Sequence, residues 1–471
     1  MLNILLGNRC KAKDIETLLN TLHTITPNTQ PYTLFSPYTF DRFPQIHATN
    51  STQKYDFIYL PDSLQAQMAI SEQIPYSMGA SYTSVIRKIA RFCKRLVYRC
   101  IDFGIKLTTK PTKQRKLAII RTDAIGDYLL FRNFLPLFAT HYGKVTLIGN
   151  IAYKDFITEF DSPHIIEFIP IHTTKFQKNI FYRIKTLKYL HTFDFEILIN
   201  PIFSRDYLSE SLAKFICAKQ KIASVGDTGN ISYRLKLHFD TIYNTLVSAD
   251  SRILFEFYRN AEFIKGLIPT ISIPSYTLTL DHTNVQEFML PKHYAVFFIG
   301  ASSAFRKWSL EHFYEVGKWH INQGFSVVIC GGKEDYENGE SLAYNLNQID
   351  NVTQELDSKA INLCGKTSLG ALARVVYNGN HLLSNETSCV HIACAIRHDI
   401  NIYVVSNGNH LYRFTPYPQG IGSKYYGIYH PTIDKNLAAY GIISNFLQET
   451  SRLDINKITP TQVINTIRAT L

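Results

Sequence analysis

The sequence predicts an α/β protein made of two doubly wound, Rossmann-like domains that follow an N-terminal extension. Strand-like runs alternate with helical patterns in two series, one starting near residue 116 and one near residue 281. Each of these runs leads into a turn of glycine or small polar residues, where doubly wound sheets hold their ligands. The chain has 471 residues, which is more than a single hydrophobic core usually contains.

The same pattern gives the expected domain limits. We expect an α/β-like extension at residues 1–82, a basic amphipathic helix and linker at 83–115, one Rossmann-like domain at 116–280 and a second at 281–471. Pro269 and Pro274 fall where the strand–turn–helix pattern is interrupted, and Thr459 and Pro460 are an N-cap pair that opens a final helix.

Strand-like runs occur in each of the expected α/β domains. They are rich in apolar residues and bounded by turn residues. In chain order they are Asn3–Leu6, Tyr55–Leu60, Leu117–Arg121, Val145–Gly149, Phe195–Asn200, Tyr294–Ile299, Ser326–Cys330 and Ile400–Val405.

Nearly all of the net charge of +11 lies in one segment. Residues 84–116 hold eleven basic residues and a single acid, Asp102. From Val85 to Phe103 the apolar residues follow helical spacing, and the polar face is cationic. Such a helix suits an anionic membrane surface, although a helix packed on the protein with a solvated basic face gives the same pattern. The cations proposed for the membrane or acceptor surface are Arg87, Lys88, Arg91, Lys94, Arg95 and Arg99.

The eight cysteines are scattered, without a CxxC pair or a His/Cys cluster, so the sequence indicates neither a disulfide framework nor a zinc site. The apolar run at Leu2–Leu6 is too short for a signal peptide, and no uncharged stretch approaches 18 apolar residues. These features predict a cytoplasmic protein that associates with the inner face of the cytoplasmic membrane.

Three turns carry the candidate chemistry. Asp127 follows a strand and Gly126, in the first turn of a helix, where it could accept a proton from a hydroxyl or simply cap the helix. The small residues at 300–304 are followed by Arg306 and Lys307, which suits a diphosphate but also suits a surface loop beside Trp308.

The third turn, at residues 384–393, feeds a helix. Thr387 and Ser388 with the backbone N–H groups could hold phosphate oxygens, and Glu386 could accept bonds from sugar hydroxyls. Taken singly, each of these residues is better explained by a capped helix with a satisfied buried histidine.

The order and spacing of five sequence blocks resemble glycosyltransferase family 9, the bacterial heptosyltransferases of lipopolysaccharide core synthesis. The blocks are KLAIIRTDAIGDYLL at 116–130, FDFEILIN at 193–200, GASSAFRKWSLEHF at 300–313, VVICGGKEDYENGESLA at 327–343 and INLCGKTSLGALARVVYNGNHLLSNETSCVHIACAI at 361–396.

This resemblance implies a GT-B fold with an interdomain cleft, inversion at the anomeric carbon, no metal requirement and no cofactor beyond a nucleotide-sugar co-substrate such as ADP-heptose. It implies that Asp127 is the catalytic base. Its donor-binding residues would be Ser302, Ser303, Lys307, Glu386, Thr387, Ser388 and His391. The implied partners are the donor, a lipid-linked glycan acceptor and an anionic membrane surface, with no nucleic acid.

The chain departs from the family pattern in three places. The last block reads Glu386-Thr387-Ser388 where the family usually has Asp-Thr-Gly, so the donor is open. Asn133 replaces a proline common early in the first helix, with Pro136 one turn later, and residues 1–110 match no usual heptosyltransferase segment. A degenerate member that only binds nucleotide or glycan, a transferase with a non-heptose donor or a protein acceptor, and a nucleic-acid-binding protein therefore remain alternatives.

Overall fold

The computed structural model describes residues 85–250, 252–349, 358–397, 399–421, 424–435, 437 and 453–471, together with five strands before residue 80. Side chains are described from residue 96 onward, with the exception of residue 99. Three parallel sheets form the framework, and they follow one another along the chain.

The first sheet belongs to the N-terminal extension and has the strand order β3-β2-β1-β4-β5, with every pair parallel. This is the order of the first five strands of a Rossmann-type doubly wound sheet. Its strands are β1 (Leu2–Leu6), β2 (Tyr32–Ser36), β3 (Ile46–Ala48), β4 (Phe57–Leu60) and β5 (Tyr76–Met78).

The second sheet has the order β11-β10-β9-β6-β7-β8 and is also parallel. Its strands are β6 (Lys113–Arg121), β7 (Val145–Asn150), β8 (Ile165–Ile171), β9 (Phe193–Asn200), β10 (Cys217–Ser224) and β11 (Thr245–Val247). The helices preceding or covering it are α1 (Val85–Thr108), α2 (Ile125–Phe131), α3 (Leu135–Tyr142), α4 (Thr173–Lys178), α5 (Ile180–Leu190), α6 (Tyr207–Phe215), α7 (Tyr233–Asp240) and α8 (Glu256–Leu267).

The third sheet repeats this plan with the order β14-β13-β12-β15-β16-β17. Its strands are β12 (Tyr294–Phe298), β13 (Ser326–Cys330), β14 (Ala360–Asn362), β15 (His381–Asn385), β16 (Asn401–Ser406) and β17 (Lys424–Tyr429). Its helices are α9 (Leu310–Asn322), α10 (Tyr336–Asn347), α11 (Leu369–Asn378), α12 (Ser388–Ile396), α13 (Pro431–Asp434) and α14 (Pro460–Arg468).

Burial explains why these runs are strands. The strands β6, β12 and β13 have both faces covered, so their inner residues form nearly continuous apolar runs, as in parallel sheets generally. Each fully buried Leu, Ile or Val contributes about 1.5–3 kcal/mol through removal of apolar surface from water. Thr459 is the N-cap of α14, as the sequence predicts, and it also forms a reciprocal capping box with Gln462.

Two boundaries around the basic segment differ from expectation. Helix α1 continues past Phe103 to Thr108, and β6 begins at Lys113, inside the stretch expected to be a linker. The first residues of β6 are polar and exposed, which hides a strand from pattern reasoning, but Lys113 pairs with Phe193 of β9.

Helix α1 lies on the second sheet's domain. The hydroxyl of Tyr98 donates to the carbonyl of Gln177 at 2.9 Å, Asp102 pairs with Arg183, and Ile105 is buried. Large apolar side chains of the same helix stay outside this contact. They are Leu96, Val97, Phe103 and Leu107. The side chains of Arg87, Lys88, Arg91, Lys94, Arg95 and Arg99 lie outside the described residues.

Candidate active site

The candidate residues lie at the carboxyl ends of the central strands. In the second sheet the strand order reverses between β6 and β9, and in the third sheet it reverses between β12 and β15. Doubly wound sheets bind ligands outside such switch points. Asp127 follows β6, residues 300–307 follow β12, and Glu386 follows β15.

Asp127 stands in the first turn of α2, whose N-cap is Ala124. It lines a cleft of about 620 Å³ together with Thr122 and Asp123, and residues of the third sheet's domain close the other side. Burial raises the pKa of Asp127, and the nearby Glu256 carboxylate raises it further. Two cations and a hydrogen bond from the Ala124 amide act in the opposite direction. The carboxylate therefore interacts with the helix start and still lines the cleft.

Two guanidinium groups hold the carboxylates around Asp127. Arg121 is fully buried: its Nη2 donates to the Asp127 carbonyl at 3.0 Å, and its Nε lies 3.2 Å from Asp123 Oδ2. Arg413 donates from Nε to Glu256 Oε2 at 3.1 Å. Three carboxylates thus share two guanidinium groups, so this cluster carries an excess negative charge, and the pKa of Asp123 is also raised, mainly by burial.

Arg413 is contributed by the domain opposite Asp127. It follows β16 in a loop where His410 and Tyr412 have φ values of 60° and 62°, a region that few non-glycine residues adopt. Its Nη1 also donates to Ser204 Oγ at 2.8 Å. The loop therefore reaches across the cleft and is held there by the Arg413 guanidinium.

The cleft has the lining expected of a small-molecule ligand site. Ligand pockets combine aromatic and apolar walls with a few placed polar groups. The aromatic side chains in this cleft are Tyr98, Phe176, Tyr207 and Phe414. Tyr98 belongs to α1, so the helix of the basic segment forms part of the wall.

In the third sheet's domain, Lys307 is held by a carboxylate. Its Nζ donates to Asp335 Oδ1 at 2.6 Å, while Asp335 Oδ2 accepts the amide of Gly332 at 2.9 Å. The Lys307 side chain keeps 31% exposure, and Ser302 and Ser303 lie in the adjoining loop before it. The loop thus presents a cation and two hydroxyls at the end of β12.

Glu386 has partners inside the protein. Arg306 Nη2 donates to Oε1 at 3.1 Å, and Ser406 Oγ donates to Oε2 at 2.5 Å. Burial raises the pKa of Glu386, whereas Arg306 lowers it. Thr387 is the N-cap of α12 and Ser388 its first residue, as expected from the sequence.

His391 joins the two domains. Its Nδ1 lies 2.6 Å from the hydroxyl of Tyr417, and burial lowers its pKa to about 3, so the ring is neutral. A Cβ atom at Gly126 would lie only 2.7 Å from His391 Cδ2. Gly126 therefore lets helix α12 approach the turn that carries Asp127.

The structure thus brings Asp127, His391 and the start of α12 to one interdomain region, with Lys307 and Ser302 on the third sheet's loop. Sequence reasoning missed Arg413 and Glu256 as members of this region. No local pattern marks either residue, since their contact joins positions 157 residues apart.

Two further properties concern the described part of the chain. No helix in it is both long enough and apolar enough to cross a bilayer. Within the same residues, no three His, Cys, Asp or Glu side chains stand together as a metal-binding group.

Comparison with known proteins confirms the family resemblance. Residues 246–425 match glycosyltransferase family 9 (heptosyltransferase). Over 91 residues, 19% of this chain, the sequence is 28% identical to lipooligosaccharide heptosyltransferase 2 of Haemophilus influenzae and to lipopolysaccharide heptosyltransferase 2 of Salmonella typhimurium. These matches span about a quarter of each relative's length, 25% and 24% respectively.

Solved structures share the fold. A family 9 glycosyl transferase from Veillonella parvula superposes with a TM-score of 0.55 at 17% identity, covering 76% of this chain and 97% of its own. The ADP-heptose LPS heptosyltransferase II of Escherichia coli gives 0.52 at 16% identity, covering 75% and 98%. E. coli heptosyltransferase WaaC, solved with ADP-2-deoxy-2-fluoro heptose, gives 0.51 at 17% identity, covering 76% and 100%. The two domains therefore have the arrangement of these glycosyltransferases.

Proposed function

We propose that this chain is an inverting glycosyltransferase that moves a heptose from a nucleotide-diphosphate heptose, such as ADP-heptose, to a lipid-linked glycan of the lipopolysaccharide-core type. The observation that supports this most is the position of Asp127. It lines an interdomain cleft at the switch point of one sheet, and the donor-side helix of the other sheet packs against the neighbouring Gly126.

In the proposed reaction, an acceptor hydroxyl attacks the anomeric carbon of the donor from the Asp127 side. The new C1–O bond forms as the bond from C1 to the diphosphate oxygen breaks, and the leaving diphosphate keeps that electron pair. Asp127 takes the hydroxyl proton. Its raised pKa makes it a stronger base than an exposed aspartate while leaving it ionised once the pH exceeds that pKa.

The residues of the donor side would stabilise the diphosphate. Lys307 supplies a cation, Ser302 and Ser303 supply hydroxyls, and the N-terminus of α12 at Thr387 and Ser388 supplies backbone N–H groups. Glu386 and His391 would act on the donor indirectly, by positioning other groups. Glu386 holds the Arg306 guanidinium, and His391 packs α12 against Gly126.

We also propose, from the family resemblance, that the reaction requires no metal and no cofactor besides the nucleotide sugar. The site of action would be the inner face of the cytoplasmic membrane, with the cations of α1 against anionic lipid. Changing Arg87, Arg91 and Arg95 together to glutamine should release the protein from vesicles containing phosphatidylglycerol, and unchanged co-sedimentation would contradict this.

The direct test is release of nucleoside diphosphate with ADP-heptose and other nucleotide sugars, with and without membrane glycolipid acceptor. We expect acceptor-dependent release with one donor. Because Glu386 already bonds Arg306 and Ser406, a degenerate member that binds nucleotide or glycan without catalysis is the competing function. Donor binding without release or transfer for any donor would establish that alternative.

A further inference from the structure

A second concavity, which we call the α1 groove, lies beside the catalytic cleft. It measures about 740 Å³ and is formed by α1, α6 and α7. Two features join it to the cleft: Tyr207 lines both, and Asp102 in the groove accepts two hydrogen bonds, at 2.9 and 3.0 Å, from Arg183 in the cleft. Its volume is that of a small-molecule site.

The α1 side of the groove carries exposed apolar side chains. Leu96 and Phe103 of α1 line it and are 53% and 65% exposed. Phe215, Leu235 and Phe239 line the opposite side. Contiguous exposed apolar side chains mark surfaces that bind an apolar partner.

The cations that line the groove outnumber its carboxylates. Lys106, Lys214 and Arg234 line it, against the single carboxylate of Asp102, which Arg183 already engages. Lys106 Nζ stands 5.5 Å from the centre of the Phe215 ring. Among the described residues, neither Lys106 nor Arg234 has a carboxylate within ion-pair distance, so both can face an anion.

We propose that the α1 groove binds the lipid part of the acceptor, an alkyl chain with an adjoining phosphate. The chain lies between Phe103 and Leu235, and the phosphate contacts Lys106 and Arg234. The attached glycan then extends past Tyr207 into the cleft toward Asp127. This proposal rests on the proposed glycosyltransferase function and adds to it the site that holds the lipid.

The binding test uses lysophosphatidic acid below its micelle concentration, measured by titration calorimetry on the full chain. Dodecyl maltoside, with an uncharged head, and inorganic phosphate, with no chain, are the matched probes. Phe103→Asp and Arg234→Glu should each weaken lysophosphatidic acid binding at least tenfold, because each removes one half of the site. Leu107→Asp is the control: it changes a 70% exposed residue of α1 outside the groove and should alter binding less than twofold.

Other outcomes would overturn the proposal. Equal loss in Leu107→Asp would show that the outer face of α1, not the groove, binds lipid. If dodecyl maltoside binds as tightly as lysophosphatidic acid, the groove does not recognise an anionic head group. If inorganic phosphate binds as tightly, the groove does not recognise the alkyl chain. Undetectable binding of lysophosphatidic acid would exclude the groove altogether.

A separate measurement keeps this proposal apart from the proposed function. Nucleoside diphosphate release is followed with a lipid-free acceptor glycan, for wild type and Phe103→Asp. Equal turnover of the two, with lysophosphatidic acid binding lost in the variant, is the expected result. If the wild type turns over but does not bind lysophosphatidic acid, only the proposal that the α1 groove binds lipid is refuted. If the wild type binds the lipid but transfers sugar from no donor, the proposed glycosyltransferase function is refuted.

Discussion

Arg413 provides a sharp test of how the cleft is organised. Its guanidinium bonds Glu256 at 3.1 Å and Ser204 at 2.8 Å, in a place where three carboxylates share two arginines. Arg413→Gln leaves three carboxylates with Arg121 alone. Removing one partner of a buried ion pair costs about 3–5 kcal/mol, because the other charge remains buried without compensation. We therefore expect a loss of about 3 kcal/mol in the free energy of unfolding.

The same substitution should change the pH dependence. Arg413 lowers the pKa of Asp127 and Glu256 raises it, so without Arg413 the pKa of Asp127 moves further up. The acidic limb of kcat/KM should therefore move to higher pH, so activity is lost more at low pH than at high pH.

A second substitution distinguishes an effect of charge from a general loss of packing at Arg413. Arg413→Gln with Glu256→Gln returns the cluster to one excess negative charge, so the double variant should be more stable than Arg413→Gln alone. Arg252→Gln is the matched control: Arg252 is 72% exposed and pairs with Asp250, so its loss should leave the free energy of unfolding nearly unchanged. A double variant less stable than the single one, or an unshifted pH profile, would refute this account of the cluster.

Three further predictions concern other parts of the chain. Gly126→Ala places a Cβ 2.7 Å from His391 Cδ2, so it should cost about 1–3 kcal/mol and lower transfer, with partial recovery on adding His391→Ala, as measured by urea unfolding and turnover. Lys307→Gln should weaken binding of ADP about tenfold in calorimetry, and unchanged affinity would exclude Lys307 from the phosphate site. His320 Nε2 lies 2.7 Å from His381 Nε2, and burial lowers both pKa values, that of His320 to about 4. The unfolded chain therefore takes up protons first, and stability should fall as the pH drops from about 6.5 toward 4, by up to about 1.4 kcal/mol per pH unit for each histidine; a flat stability profile over that range would contradict this.

The sequence predicts the two repeating α/β domains well because their signals are local. A strand such as Ser326–Cys330 is an apolar run that ends at glycines, and the structure gives it the same bounds. Asp127 in the first turn of its helix follows from the same strand–turn–helix logic. These features need only neighbouring residues to be recognised.

The parts that sequence reasoning missed depend on distant contacts. Arg413 reaches Ser204 across 209 positions, and Tyr98 reaches Gln177 across 79. The apolar residues of α1 were expected on one face, but the periodicity could not tell that Leu96 and Phe103 remain exposed while Tyr98 and Ile105 are buried. Packing of the helix on α5, set by Asp102 and Arg183, decides which apolar side chains are covered.

The central claim is that Asp127 is the base of a sugar transfer, and single-turnover release of nucleoside diphosphate tests it most directly. Asp127→Asn is compared with wild type and with Asp155→Asn. The latter is the control, because it makes the same carboxylate-to-amide change at an exposed position of the same domain. Loss of general-base catalysis should slow transfer about 10²–10⁴-fold while donor affinity stays within threefold and Asp155→Asn behaves as wild type. Transfer by Asp127→Asn at the wild-type rate would contradict the account.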